Sequence, residues 1–524
     1  MRKHRKPSLI LAAVMMLSTV FSGCGKTNEN VTSNPESPSV DSSAPEQTLV
    51  VGAATDFKSG GEKRFLVFDT MTDYKSDMSS TPKIITEWTN NEDYTEYTLK
   101  IRDDVSFSDG TKLTSDIIKS SLEYWPTYRS CYYINYIDSI TVVDDTNLTV
   151  KFKTGYGNFI DELARIWVTK SDSVDDKGNI KEWIGTGPYT LQDYKADMSA
   201  TLIRNENYWN KDKMPGITKI EYKVITDQNA RILAIKSGDV DVLGLTEHYS
   251  VVDYANVPDM QSNPDLNVQI NKGYGSITTY SVNWKSGVCA DKNVRKAIAF
   301  GIDRETLCKK ILFGVPEVGD KFVCSTYKFS PKSSAFTYDP EAAKGYLEAA
   351  GYSDSDGDGY VEKDGQKLIV DLVIKDGQQD RNVAVYIQEC LKQIGIEIKL
   401  EVLDAATYKT RVQAGEYDLS ATHPWIATVV SYLCWRGDLD GYDQYGTGYG
   451  VSDRIHELAK QVSLTGDDAE RETCFEEIWD IENDFIAGIP LYYAPRVIIS
   501  KKNIEGFNFY PDVSCVNLSD AVIK

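Results

Sequence analysis

The chain has 524 residues, 41% hydrophobic and 26% charged, a globular composition that excludes a largely disordered protein. This length exceeds one ordinary core, so two or three domains are expected. The formal net charge of −21 comes from 57 basic and 78 acidic residues, and it argues against nucleic acid as a partner and against polybasic attachment to anionic lipid.

The first 23 residues read as a signal peptide: a basic start, MRKHRK, an apolar run from Leu9 to Phe21, then small residues before Cys24. The apolar run is too short to cross a membrane comfortably. The leader holds four basic residues, Arg2, Lys3, Arg5 and Lys6, and no acids, so the chain from Cys24 onward carries 53 basic against 78 acidic residues, a charge of −25. Residues 24–47 are rich in Ser, Pro, Asn and Glu, with almost nothing to bury, and are expected to form a disordered tether.

Folded structure is expected from Thr48. Tyr97, Leu99 and Ile101 alternate along a strand, Asp109-Gly110 makes a turn, and Thr114 or Ser115 caps a helix running to Trp125. The alternating run Ser139–Phe152, bent at Asp144-Asp145, completes a mostly β segment. At Gly185-Thr186-Gly187-Pro188 the glycines predict a tight turn with backbone angles that other residues avoid. A strand then starts at Tyr189, returns through Ala200 to Arg204, and is followed by an alternating strand, Ile217 to Val224. Asp227 caps a helix with Ala230, Leu233 and Ala234 on its buried face, Gly238 ends it, and Asp239–Val242 returns as a strand, so the segment is a βαβ unit.

Beyond it, Gly275–Trp284 reads as a strand, Asp291 and Asp303 cap two helices, and Asp339-Pro340 opens a third that Gly351 stops. Leu368–Ile374 is a strand. Asp380–Ile394 is a helix with Val383, Tyr386, Ile387, Cys390, Leu391 and Ile394 on one face, and Ile396–Val402 alternates strictly. Glu470–Ala487 is helical. Eight cysteines follow Cys24 with no C-x-x-C spacing, which argues against a zinc ribbon or thioredoxin-type site and leaves any disulfide pairing open.

The texts "GTGPY", "RNENYW" and "SGDVD", in order within residues 184–242, resemble the signature segment of family 5 extracytoplasmic solute-binding proteins of ABC importers, the family of oligopeptide-, dipeptide- and nickel-binding receptors. "YTLKIRDDVSFSDGTKLTSDIIKSSLEYW", "DKNVRKAIAFGIDRETL" and "IPLYYAPRVIISKKNIEGF" are similar to further family segments. The resemblance implies an α/β, two-lobed periplasmic-binding-protein-like fold with an extra inserted β-rich subdomain. Lobe I would comprise 48–68, 185–282 and 492–524, the β-rich subdomain II 69–184, and lobe III 283–491. Phe21-Ser22-Gly23-Cys24 resembles a bacterial lipobox, which implies cleavage before Cys24 and a lipid anchor on its sulfur, with a free secreted form as the alternative.

The implied function is capture of a small peptide, peptide-like compound or metal (nickel) chelate between two lobes, and its delivery to an ABC permease and ATPase by a monomeric receptor with no resident cofactor. A surface sensor or chaperone-like protein of the same fold is the first alternative, and an extracellular hydrolase the second. No nucleophile elbow, H-E-x-x-H pair or phosphate loop stands in the chain, so an enzyme is not expected. Tyr128 and Arg129 stand where nickel-type relatives place a cleft arginine, which would suit a carboxylate, against the plainer reading of a solvated helix end. His423, Trp425 and Arg436 fall in the text that matches the ligand-contacting loop, and a surface or helix-end imidazole is the alternative for His423. The acidic residue that peptide-binding relatives carry after the tryptophan is missing, since Ile426-Ala427-Thr428 follow Trp425, and this weighs against ordinary free-amine recognition. Asp354, Asp356, Asp358 and Gly359 have the one-three-five-six spacing of a calcium loop, with Glu362 at the ninth position and Gly365 where the twelfth-position glutamate belongs. They are read as an Asp-Gly hairpin between a helix and a strand, with calcium as the alternative. Thirty-two tyrosines suit a cleft that must hold and release a polar solute.

Overall fold

The computed structural model describes residues 47–129, 131, 133–246, 252–324, 326–333, 336–423, 452–509 and 516–524, without the side chains of Glu62, Arg129 and 273–275. Cys24, the leader, the tether as far as residue 46, Trp425 and Arg436 lie outside the described residues. Among the described residues no helix is long and apolar enough to cross a membrane.

Two long antiparallel strands, Leu266–Val282 and Gly488–Lys501, form the spine of an 11-stranded mixed sheet. On one side of this pair the sheet continues through Val242–Leu243, Thr48–Ala53, Lys219–Val224, Ser199–Arg204 and Tyr189–Lys195. On the other side it continues through Leu419–Thr422, Ile369–Lys375 and Glu397–Leu403. The pairing slips where the two halves meet: Asn271 faces Arg496, but the next pair is Ser276 with Ala494. Pro495 has no N–H to give a ladder, so regular pairing cannot run through this point. The strand read from sequence as Gly275–Trp284 is therefore the second half of a strand that starts at Leu266.

The βαβ unit forms as its residues dictate. Lys219–Val224 and Val242–Leu243 lie parallel to Thr48–Ala53, one on each side. The Asp227 carboxylate accepts from the Ala230 N–H and caps the helix Gln228–Ser237, and Gly238 ends it at φ 83°. The buried face differs from the expected one. Arg231, Ile232, Ala234 and Ile235 are buried, whereas Leu233 is 67% exposed. The reason for the two glycines at 185 and 187 also differs. Neither has positive φ. A Cβ on Gly185 would sit 2.0 Å from the Val67 carbonyl oxygen, and one on Gly187 would sit 2.6 Å from the Val67 carbonyl carbon. Close backbone approach, not a left-handed turn, demands glycine here; the Gly187 N–H donates to the Val67 carbonyl at 2.9 Å.

Residues 85–152 add a separate four-stranded antiparallel sheet, ordered Ile85–Asn90, Glu96–Ile101, Asn147–Phe152, Ile137–Asp144. Tyr97, Leu99 and Ile101 point into its core, and the helix Ser115–Tyr124 packs behind it. Backbone contacts join this part to the far half of the molecule, beside an ion pair of Asp161 with Arg471 at 3.5 Å. The Gly157 N–H donates to the Leu464 carbonyl at 2.8 Å, and the Asn158 N–H donates to the Ser463 carbonyl at 3.2 Å. The described cysteines Cys131, Cys289, Cys308, Cys324, Cys390 and Cys474 are all buried, and no disulfide joins them to one another.

Candidate functional site

Ile369–Lys375 runs parallel to both Glu397–Leu403 and Leu419–Thr422, so the three strands end at one edge. In open α/β sheets ligands bind beyond the carboxyl ends of such strands. A cavity of about 440 Å³ lies there, within the range of small-molecule sites. Lys375 and Asp376 reach it from the end of the central strand, and His423 follows Leu419–Thr422. Thr278, Tyr492 and Ala494 come from the two long strands, and Asp253 and Tyr254 close the opposite wall.

The helix Gln378–Lys392 starts at this cavity, with Gly377, Gln378, Gln379 and Asp380 in the wall. Gly377 offers no side-chain cap to the first backbone N–H groups, and this first turn, the positive end of the helix, lies in the cavity wall. The Asp380 carboxylate, in the first turn, lies 3.4 Å from the His423 Nε2, while the other ring nitrogen, Nδ1, is 3.1 Å from the Thr278 hydroxyl. The Gln379 amide joins the two sides: its oxygen accepts from the Tyr254 N–H at 3.2 Å and its nitrogen donates to the Tyr492 hydroxyl at 3.3 Å. Burial holds the Tyr254 and Tyr492 hydroxyls well above the ordinary phenol range, so both stay neutral. Their rings meet edge to face at 6.4 Å.

Two of the three carboxylates in the wall already have partners outside it. Asp376 accepts from the Arg381 guanidinium at 2.7 and 3.0 Å, and Asp253 accepts from the Gln228 side-chain amide at 3.1 Å. Lys375 supplies a positive charge. The cavity thus offers places for a negative and a positive group, with Tyr254, Tyr408 and Tyr492 also in its wall.

Of the residues singled out from sequence, His423 lines this cavity. Tyr128 does not line it. Its hydroxyl donates to the Asp176 carbonyl at 2.8 Å, and its ring packs 5.0 Å from that of Tyr124. Arg129 closes the short helix Pro126–Arg129, and its side chain is outside the described residues, as are Trp425 and Arg436. Asp354, Asp356 and Asp358 lie before the start of the strand whose far end reaches the cavity. Sequence reasoning missed Asp253, Tyr254, Lys375, Gln379 and Asp380. One signal was available: "IKDGQQD" stands where a buried strand passes into a helix, the place where such sheets present ligand groups.

Residues 80–431 match the family described as "Bacterial extracellular solute-binding proteins, family 5 Middle". The chain belongs to that family. It is 25% identical to the nickel-binding periplasmic protein of Escherichia coli, covering 85% of this chain and 87% of that one. It is 25% identical to the oligopeptide-binding protein AppA of Bacillus subtilis, covering 98% of both. Its fold superposes on the crystal structure of NikA from Brucella suis in complex with Fe(III)-EDTA with a TM-score of 0.82, at 21% identity over 91% of this chain and all of that one. The α/β, two-lobed periplasmic-binding-protein architecture expected from sequence is therefore the fold of this family 5 member. The two long strands are the elements shared by its two halves.

Proposed function

We propose that this solute-binding protein is the cargo receptor of an ABC importer and that it holds a small peptide, peptide-like compound or metal chelate in the cavity beyond Lys375 and His423. The observation that carries this reading is the presence of both charge signs in one space of about 440 Å³. The uncapped helix N-terminus and Lys375 suit a carboxylate. Asp380, beside His423, suits an ammonium group or the positive part of a chelate. A free-amine peptide then finds its acidic partner at Asp380 and not in the segment after Trp425, whose text carries no acid at that place. The names of the nickel-binding and oligopeptide-binding relatives support both cargo classes. Cargo held between the halves favours the closed form by its differential affinity, and the regular pairing of the shared strands is interrupted between Asn271 and Ser276.

No covalent step is involved, and ATP hydrolysis belongs to partner subunits. The lipid on Cys24 keeps the monomeric receptor at the outer face of the cell membrane beside its permease. Isothermal titration with free-amine tripeptides, their N-acetylated forms and nickel–histidine tests the cargo assignment. Saturable binding of one class is expected, with a matching rise in melting temperature. Folded protein that responds to none of the three contradicts it. Cys24→Ala should move the protein from the membrane fraction to the medium.

A further inference from the structure

A second group of acidic residues lies away from the cavity, between the helix Pro340–Ala349 and the strand Ile369–Lys375. The hairpin read from sequence is present, but further along: Glu362–Lys363 pairs with Gln366–Lys367 around Asp364 and Gly365, whose φ values are 54° and 75°. That turn accounts for Asp364-Gly365 and leaves residues 354–360 without a role in it. We propose that Asp354, Asp356, Asp358 and Glu362 bind a calcium ion.

One carboxylate oxygen from each of these four residues lies within 4.8 Å of the others. Calcium takes its oxygens at 2.3–2.6 Å, so ligands on opposite sides of the ion stand about 5 Å apart, whereas magnesium would draw them to about 4 Å. With all four oxygens inside 4.8 Å, one calcium ion can reach them together.

The independent observation is Glu362. It is only 8% exposed, and its Oε2 accepts from the Ser355 N–H at 2.9 Å and the Ser355 hydroxyl at 3.1 Å. Its Oε1 is buried and has no hydrogen-bond partner among the described residues. A buried carboxylate oxygen without a donor is costly, and three neighbouring carboxylates increase the cost. Among the described residues, Lys367, on Asp358, is the one cation paired with the group. A divalent ion satisfies the orphaned oxygen and the excess charge together.

The position of Glu362 also explains the missing twelfth-position glutamate. Chain reversal at Asp364-Gly365 makes the twelfth residue the tip of the hairpin. Glu362, fixed by its backbone pairing with Ser353, is turned inward in its place. Gly359 occupies the sixth position at φ 89°, and the Tyr360 carbonyl stands at the seventh, from which such loops supply a backbone oxygen. The ion would fasten the root of the strand that ends at Lys375, and it would do so whatever the cavity holds.

The test is calorimetric titration of the chelator-treated full chain with calcium chloride and, in parallel, magnesium chloride, with melting temperature followed by circular dichroism. One calcium per chain is expected, with a Kd of about 0.1–1 mM as in extracellular modules, weaker binding of magnesium and a higher melting temperature. Asp356→Asn and Glu362→Gln should each weaken calcium at least tenfold. Lys367→Met, at a more exposed site, removes a competing cation and should tighten it severalfold, which keeps the test open should either acidic variant fold poorly. Neither heat nor a melting shift at about 10 mM calcium, ten times the weak end of that range, would overturn the proposal. So would calcium binding that survives Asp356→Asn and Glu362→Gln but is lost in Asp380→Asn.

Discussion

The Asp380 carboxylate and the His423 imidazole meet at 3.4 Å, from a helix first turn and a strand end 43 positions apart. Both are partly buried, with side-chain exposures of 20% and 30%. A cargo ammonium placed here replaces water on Asp380 and gains a charge-assisted hydrogen bond, about 1.5–3 kcal/mol in such settings. Asp380→Asn keeps the shape and removes the charge. Affinity for an amine-bearing cargo should fall at least tenfold, with little change in melting temperature of the cargo-free protein. Equal affinities by calorimetry would remove Asp380 from the recognition of cargo.

Closure has its own test, remote from the cavity. Gly157 lies so close to the opposite half that a Cβ on it would be 2.1 Å from the Thr465 carbonyl carbon and 2.2 Å from the Gly466 nitrogen. Backbone contacts of this kind tolerate no added side chain without separation of the two surfaces. Gly157→Val should therefore weaken cargo binding severalfold through the open–closed equilibrium while leaving every cavity residue in place. Small-angle scattering should show a more extended protein at saturating cargo than the wild type. An unchanged affinity would mean that this contact is not formed on closure.

What could be read from sequence was what is local. The caps at Asp227, Asp291, Asp303 and Asp339 involve residues within three positions of the acceptor, and each side chain does accept a helix N–H. The buried face of Gln228–Ser237 was misjudged because a ten-residue helix whose apolar residues 232–235 run consecutively around it leaves its orientation to the sheet it meets, and the sheet selects Ile232 and Ile235 over Leu233. The first half of Leu266–Val282 was hidden by Lys272-Gly273-Tyr274-Gly275, which breaks the alternation where the pairing slips. The cavity was the least legible part. Its walls come from residues as far apart as Asp253 and Tyr492, so no window of sequence contains them together.

Arg496 sits at the slip itself and is 2% exposed. Its guanidinium donates to the Leu245 carbonyl at 2.9 Å and the Gly244 carbonyl at 3.3 Å, joining the long strand to the turn after Val242–Leu243. Arg496→Met keeps most of the volume and leaves these carbonyls without their donor. A loss of about 2–3 kcal/mol is expected, read from the urea midpoint at unchanged slope. A shift below about 0.5 kcal/mol, the usual size for a surface substitution, would show that the guanidinium is not holding the turn.

Glu162 gives the fold a defined response to pH. It is 5% exposed, and burial raises its pKa above the usual carboxylate range, against the lowering effect of donors from Tyr156 at 2.5 Å, the Tyr133 N–H at 3.3 Å and Asn158 at 3.1 Å. The folded chain therefore holds this proton more tightly than the unfolded chain, whose glutamate titrates near 4.5. Below that pH both states are protonated and the full contribution is present. As pH rises from 4.5 to the raised folded value, the unfolded state alone ionises, and stability falls by up to about 1.4 kcal/mol per pH unit. Glu162→Gln cannot ionise and lacks this slope. At acidic pH it should be no more stable than the wild type, because an amide nitrogen cannot accept from the Tyr133 N–H. Its melting temperature relative to the wild type should then climb from about pH 4.5 up to the raised folded value. A difference that stays constant across that range, measured by calorimetry in matched ionic strength, would show that Glu162 is ionised in the folded protein despite its burial.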